Sequence, residues 1–247
     1  MIIEMKRRYF IQTSLAAVPW VSLGNNIYST QAYAMEQTKV INAGIGGNNT
    51  QDLLDRIQKD CLAHKPDITV LMVGANDMNT RKYIALPQYT ANLDNLSQQI
   101  LKSGSALILM TITPVHEPYI YTRHDQAFYG AEGHAGRKDQ VNAAIRQVAS
   151  KNKAALIDLH HVYSAIGHVG TDKSSWIQNE ANSGNTDGLH PTPDGYRVIA
   201  LAVYGKLQTY DLQGKTIVCF GDSITAGDGS PDGNSYPAHL RKLLGKG

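Results

Sequence analysis

The sequence predicts a three-layer α/β/α domain built on a doubly wound, mostly parallel five-stranded sheet. Two observations carry that reading. Five continuous apolar runs rich in β-branched residues suit strands buried on both faces. Between them, apolar residues recur at helical spacing, and strand–helix alternation of this kind winds into a parallel sheet with right-handed crossovers. A chain of 247 residues, 42% hydrophobic and 18% charged, is long enough for one well-buried core.

The strands are expected at 39–45 (KVINAGI), 67–74 (DITVLMVG), 106–113 (ALILMTIT), 154–159 (AALIDL) and 215–221 (KTIVCFG). Leu53, Leu54, Ile57 and Cys61 mark the first helix. Leu93, Leu96 and Ile100 mark the second, with Gly104 placed to end it. Val141, Ile145 and Val148 form a third stripe, and Tyr196, Ile199, Val203 and Leu207 a fourth. Residues 235–245 read as a last short helix with Pro237 in its first turn. Residues 114–136 show neither period and read as a long irregular insertion of the kind that walls a binding site.

Residues 1–34 differ in kind. A positive start at Lys6, Arg7 and Arg8, an apolar stretch over 10–24 and Ala-Tyr-Ala at 32–34 read as a removed export signal. The segment Arg7-Arg8-Tyr9-Phe10-Ile11-Gln12 resembles a twin-arginine signal. The apolar stretch is broken by polar residues and Pro19 and is short for a membrane span, so no stable membrane association is expected. Without this segment the chain holds 20 basic and 20 acidic residues. That balance gives no electrostatic footprint for nucleic acid. Cys61 and Cys219 are expected as buried free thiols, although export would permit a disulfide.

Ligands in such sheets bind beyond the carboxyl ends of the strands. Three of those ends are small or polar: Gly46-Gly47-Asn48-Asn49-Thr50, Gly74-Ala75-Asn76-Asp77 and Gly221-Asp222-Ser223. Acyl transfer by serine needs a base, a group that orients the base, and donors for the oxyanion. Ser223 is the candidate nucleophile, His190 the base and Asp187, three residues earlier, its orienting carboxylate. Asp194 is expected to cap the following helix. The oxyanion donors would be the N–H of Ser223, the N–H of Gly47, where no Cβ blocks approach, and the Asn76 side-chain amide. Taken singly, each feature has a plain structural explanation: a helix start at Asn76-Asp77, a tight turn at Gly46-Gly47, a chance Asp/His pair. The α/β-hydrolase elbow G-x-S-x-G is absent at Ser223, because Thr225 stands in its last position. His160-His161, on a strand end, would point to opposite sides and make no metal site. The stretch 228–235 lacks the spacing and closing Glu of a calcium loop, so no metal is expected.

Together these pieces resemble the sequence blocks of the SGNH (GDSL-type) hydrolase superfamily. FGDSITAG at 220–227 is similar to the first block with its nucleophile, NAGIGGNNT at 42–50 to the second with its oxyanion glycine at Gly47, VGANDM at 73–78 to the third with Asn76, and DGLHPTPDGY at 187–196 to the last with Asp187 and His190. The order differs, because the serine block follows the last one. The resemblance therefore implies a flavodoxin-like SGNH hydrolase domain over 35–247 that is circularly permuted. A fragment of a tandem array and strand exchange between two chains are the rival accounts. The resemblance further implies an exported serine esterase with no metal or organic cofactor, acting on small-molecule or polysaccharide esters, carbohydrate O-acetyl esters first. Lipase, lysophospholipase or thioesterase activity, or a non-catalytic glycan-binding role, are the alternatives. Asp222, Asn48, Asp77, Tyr119 and Tyr121 are the implied substrate contacts. The mixed aromatic and polar character of 114–136 favours a sugar over a long acyl chain.

Overall fold

The computed structural model describes residues 37–230 and 232–245. The export signal expected over 1–34 lies outside the described residues. The elements run β1 (Lys39–Gly44), α1 (Thr50–Asp60), β2 (Ile68–Met72), α2 (Leu86–Lys102), β3 (Ala106–Met110), α3 (Glu117–Ile120), α4 (Gly133–Lys151), β4 (Ala155–Ile157), α5 (Leu159–Ile166), α6 (Glu180–Ser183), α7 (Pro193–Leu207), β5 (Thr216–Gly221), α8 (Ser223–Ala226) and α9 (Tyr236–Leu244).

The five strands form one parallel sheet in the order β1-β5-β2-β3-β4. The last strand in sequence is thus interior. Val218 pairs with Ile41 on one side and Thr69 on the other. Counted with β5 first, the order reads 2-1-3-4-5, the flavodoxin-like doubly wound order.

Successive strand residues face opposite sides, so a strand covered on both faces must be apolar throughout. In β5, Val218 and Phe220 join a core with Leu53, Leu93, Ile100 and Val141 of α1, α2 and α4. Ile217 and Cys219 join the opposite core with Tyr163, Ile199, Val203 and Leu240 of α5, α7 and α9. Cys61 lies in the first core and Cys219 in the second, both as buried free thiols. Burial pushes the Cys61 thiol up to about 11 and Cys219 up to about 12, so both stay protonated and unreactive.

Three local expectations are corrected. The run 154–159 yields only a three-residue strand, because Asp158 caps α5 by accepting the His161 N–H and is held by Arg146 at 2.9 Å. His160 and His161 therefore open a helix rather than end a strand. The cap of α7 is Thr192, whose hydroxyl accepts the Gly195 N–H; Pro193 takes the first helical position and Asp194 pairs with Arg197 on the surface. Residues 114–136 are not wholly irregular: they hold α3, a 3₁₀ segment over Gln126–Glu132, and the start of α4. The Arg137 guanidinium over the rings of Phe128 and Tyr129 ties that segment to α4.

α9 returns to the edge strand, where Arg241 donates to the Val40 carbonyl at 3.1 Å. A chain ending before Lys215 would leave β1 and β2 without the strand that joins them and both cores open. It is expected to show no cooperative unfolding transition by calorimetry, where the full chain shows one.

Candidate active site

Three loops converge beyond the carboxyl ends of β1, β2 and β5. The β5 chain turns into α8 at Asp222, whose side chain accepts the Ile224 N–H at 3.0 Å and so presents Ser223 at the start of that one-turn helix. The loop after β1 is fixed by a capping box: Asn49 accepts the Asp52 N–H while Asp52 accepts the Asn49 N–H. It leaves Gly47 exposed at φ +77°. Neither the N–H of Gly47 nor that of Ser223 meets an acceptor among the described residues. The loop after β2 carries Asn76, whose amide gives one hydrogen to the Asn48 carbonyl at 2.9 Å and keeps the other.

Opposite these donors, His190 Nε2 lies 2.9 Å from Ser223 Oγ, and His190 Nδ1 lies 2.8 Å from Asp187 Oδ2. The other Asp187 oxygen accepts the N–H groups of Leu189 and His190 at 2.9 and 2.7 Å. Burial alone would raise the Asp187 pKa, but the His190 ring and these backbone donors outweigh it and hold it at about 2. The turn between the two residues needs Gly188, at φ +71°, where a Cβ would lie 2.8 Å from the His116 carbonyl oxygen.

A cavity of about 410 Å³ opens over Gly47, Asn76, His190 and Ser223. Its far wall is Ile120, Arg123, His124 and His134 of the insertion. Burial lowers the His134 pKa to about 4, so its ring is neutral at neutral pH. Arg123 donates to the Asp187 carbonyl and approaches its carboxylate at 3.6 Å.

Several expected substrate contacts are placed elsewhere. Asp222 and Asp77 are each 1% exposed and shape loops instead. Asp77 accepts the N–H and hydroxyl of Thr50, joining the β2 loop to α1. Tyr121 turns to Glu117 at 2.6 Å, and Tyr119 packs on His116 beside Gly188; neither lines the cavity over Ser223. Asn48 faces Arg56, accepting its Nε at 2.7 Å. Arg56 was not legible as a site residue. It also donates to the carbonyls of Ala43 and Gly221 and lies 4.5 Å over the Phe220 ring, so one side chain ties α1 to the ends of β1 and β5. Its partners are far apart in sequence, and no local pattern marks it.

The chain and its fold have counterparts among known proteins. The model of the GDSL-like Lipase/Acylhydrolase family matches residues 14–198. The chain is 31% identical over 174 residues to the lipoprotein YqeF of Bacillus subtilis, covering 65% of this chain and 70% of that one. It is 24% identical over 173 residues to an acetylxylan esterase of Geobacillus stearothermophilus, covering 66% and 69%. Its fold is similar to that of a lipase/acylhydrolase from Enterococcus faecalis, with a TM-score of 0.52, 21% identity, and coverage of 66% and 72%. The family makes the chain a carboxylic ester hydrolase. It belongs to the GDSL-like lipase/acylhydrolase family.

Burial raises Asp77 from 3.8 to about 6. Across that window the folded protein holds a proton that the unfolded chain has released. Stability is therefore lost as pH rises from about 4 to 6. Relative to Asp77→Asn, which keeps the acceptor for Thr50, the wild type should lose up to about 3 kcal/mol over this range in denaturant melts. A difference that does not change with pH would contradict the assignment.

Proposed function

We propose that the chain is an exported serine esterase that removes short acyl groups, acetyl first, from carbohydrate esters. The observation that carries this reading is the unbroken chain Ser223 Oγ–His190 Nε2–Asp187 Oδ2 beside two N–H groups unpaired among the described residues and a half-used amide.

In this reading His190 takes the proton of Ser223 as its oxygen attacks the ester carbonyl. The oxyanion is held by the N–H groups of Ser223 and Gly47 and the free hydrogen of Asn76. His190 then protonates the leaving alcohol, and water enters by the same route to release the acid. Asp187 fixes the ring tautomer and stabilises the imidazolium, and Arg123 positions Asp187. Every step uses side chains and backbone of this chain.

The substrate preference follows from the cavity wall. A long acyl chain would want an extended apolar surface, whereas Ile120 and Leu189 stand here among Asn79, Arg81, Arg123 and His124. The relative named an acetylxylan esterase points the same way.

The order of the segments is best read as a circular permutation. The interior position of β5, the contact of α9 with β1, and a family match that ends before Ser223 all support it. Export rests on the basic, apolar and small-residue pattern of 1–34.

Ser223→Ala should lower kcat on p-nitrophenyl acetate by several orders of magnitude, and Asn76→Ala by about 10²–10³-fold. Across p-nitrophenyl esters of increasing length, kcat/KM should fall beyond the shortest acyl groups, and acetylated xylan should release acetate. Faster hydrolysis of long chains would contradict the carbohydrate reading, and a rate within a few-fold of wild type for Asn76→Ala would remove that residue from the oxyanion site.

A further inference from the structure

His190 has a cavity on each side. Besides the one over Ser223, a second cavity of about 300 Å³ is lined by Asp187, His190, Gln178, Tyr196 and Asn234. It lies between the turn that carries Asp187 and His190 and the loop that follows α8.

The Tyr196 side chain is 4% exposed and lines this cavity; its hydroxyl keeps access to solvent and has no hydrogen-bond partner among the described residues. Burial also pushes the Tyr196 pKa far up, so the group keeps its proton and can donate. Two further polar groups are open. Gln178 gives one amide hydrogen to the Pro191 carbonyl at 3.0 Å, and its side-chain oxygen is left to accept. Asn234 is exposed, and its side-chain amide is unpaired among the described residues, while its backbone N–H is held by Asp228 at 2.8 Å.

The charge pattern selects the ligand. Two carboxylates, Asp187 and Asp228, line the cavity, with no lysine or arginine. A phosphate or carboxylate would be repelled, whereas a neutral ring bearing hydroxyls meets a donor, an acceptor and an amide that is both. The rings of Pro191 and Pro193 add apolar surface for a sugar's C–H face.

We infer that this second cavity is a subsite for a neutral pyranose ring of the glycan that carries the ester, with hydroxyls bound by Tyr196, Gln178 and Asn234. The inference rests on the carbohydrate-esterase reading above and extends it: the site takes a sugar chain across His190 rather than a single acylated unit.

The test is titration of the full chain with xylotetraose and with cellotetraose, neutral oligosaccharides that cannot be deacylated, followed by NMR. Tyr196→Phe keeps the ring and its packing, and Asn234→Ala keeps the backbone bond to Asp228. Each should weaken binding about 3- to 10-fold, the effect of one lost hydrogen bond. Hydrolysis of p-nitrophenyl acetate by the wild type, measured in parallel, reads the esterase separately. If neither oligosaccharide binds the wild type, or if both variants bind as tightly as it does, the subsite is overturned, whatever the esterase assay gives.

Discussion

The structure depends on the insertion of β5 between β1 and β2. Hydrogen bonds run from β5 to both neighbours along its length, from Lys39↔Thr216 to Gly44↔Gly221 on one side and from Ile68↔Ile217 to Met72↔Gly221 on the other. One six-residue strand therefore closes the sheet, supplies apolar side chains to both cores, and ends at the candidate nucleophile. The cost of that arrangement is a long loop closure, since β1 and β5 are the first and last strands among the described residues. Such non-local pairing is slow to form and is rewarded only when both ladders are complete. Folding and assembly of the site are thereby one event.

The loops at the end of these strands are held by polar groups bonded to one another and to the backbone. Arg56 binds the carbonyls of Ala43 and Gly221 and the side chain of Asn48, so the carboxyl ends of β1 and β5 keep a fixed offset. Asp77 and Thr50 do the same between the β2 loop and α1, with Asn92 adding a bond to the Thr50 hydroxyl. These side chains are desolvated, and their hydrogen bonds define one arrangement of Gly47, Asn76 and Ser223. Asp222 is the extreme case: burial lifts its carboxyl to about 7 while it accepts the N–H of Ile224.

The sheet was legible because strands covered on both faces are largely apolar, as at 68–73, 106–110 and 217–220, and even the edge strand β1, with only Val40 buried, keeps a short apolar run. The fourth strand was overestimated, because Leu159 resumes its apolar run after Asp158, whereas Asp158 is the helix cap and Leu159 the first helical residue. The contact of Asp187, His190 and Ser223 was legible because Asp187 and His190 are close in the chain and Ser223 follows a strand. The cavity wall was not. Aromatic residues of the insertion were expected to face the substrate, but Tyr129 is fully buried and Tyr121 is bound to Glu117, leaving Ile120, Arg123, His124 and His134 to form the wall. Side-chain type in an insertion does not reveal which way a 3₁₀ turn will point it. The carboxylates beside the motif residues misled for a related reason, since a polar residue next to a catalytic position serves equally to fix the loop.

In the proposed reading, the late strand delivers an activated serine to a histidine and an oxyanion site assembled upstream. Labelling with a fluorophosphonate, followed by peptide mass spectrometry, tests it most directly. Stoichiometric modification at Ser223 is expected, abolished or strongly slowed in His190→Ala. A folded protein that takes up no label, or takes it up at another serine with Ser223 untouched, would contradict it.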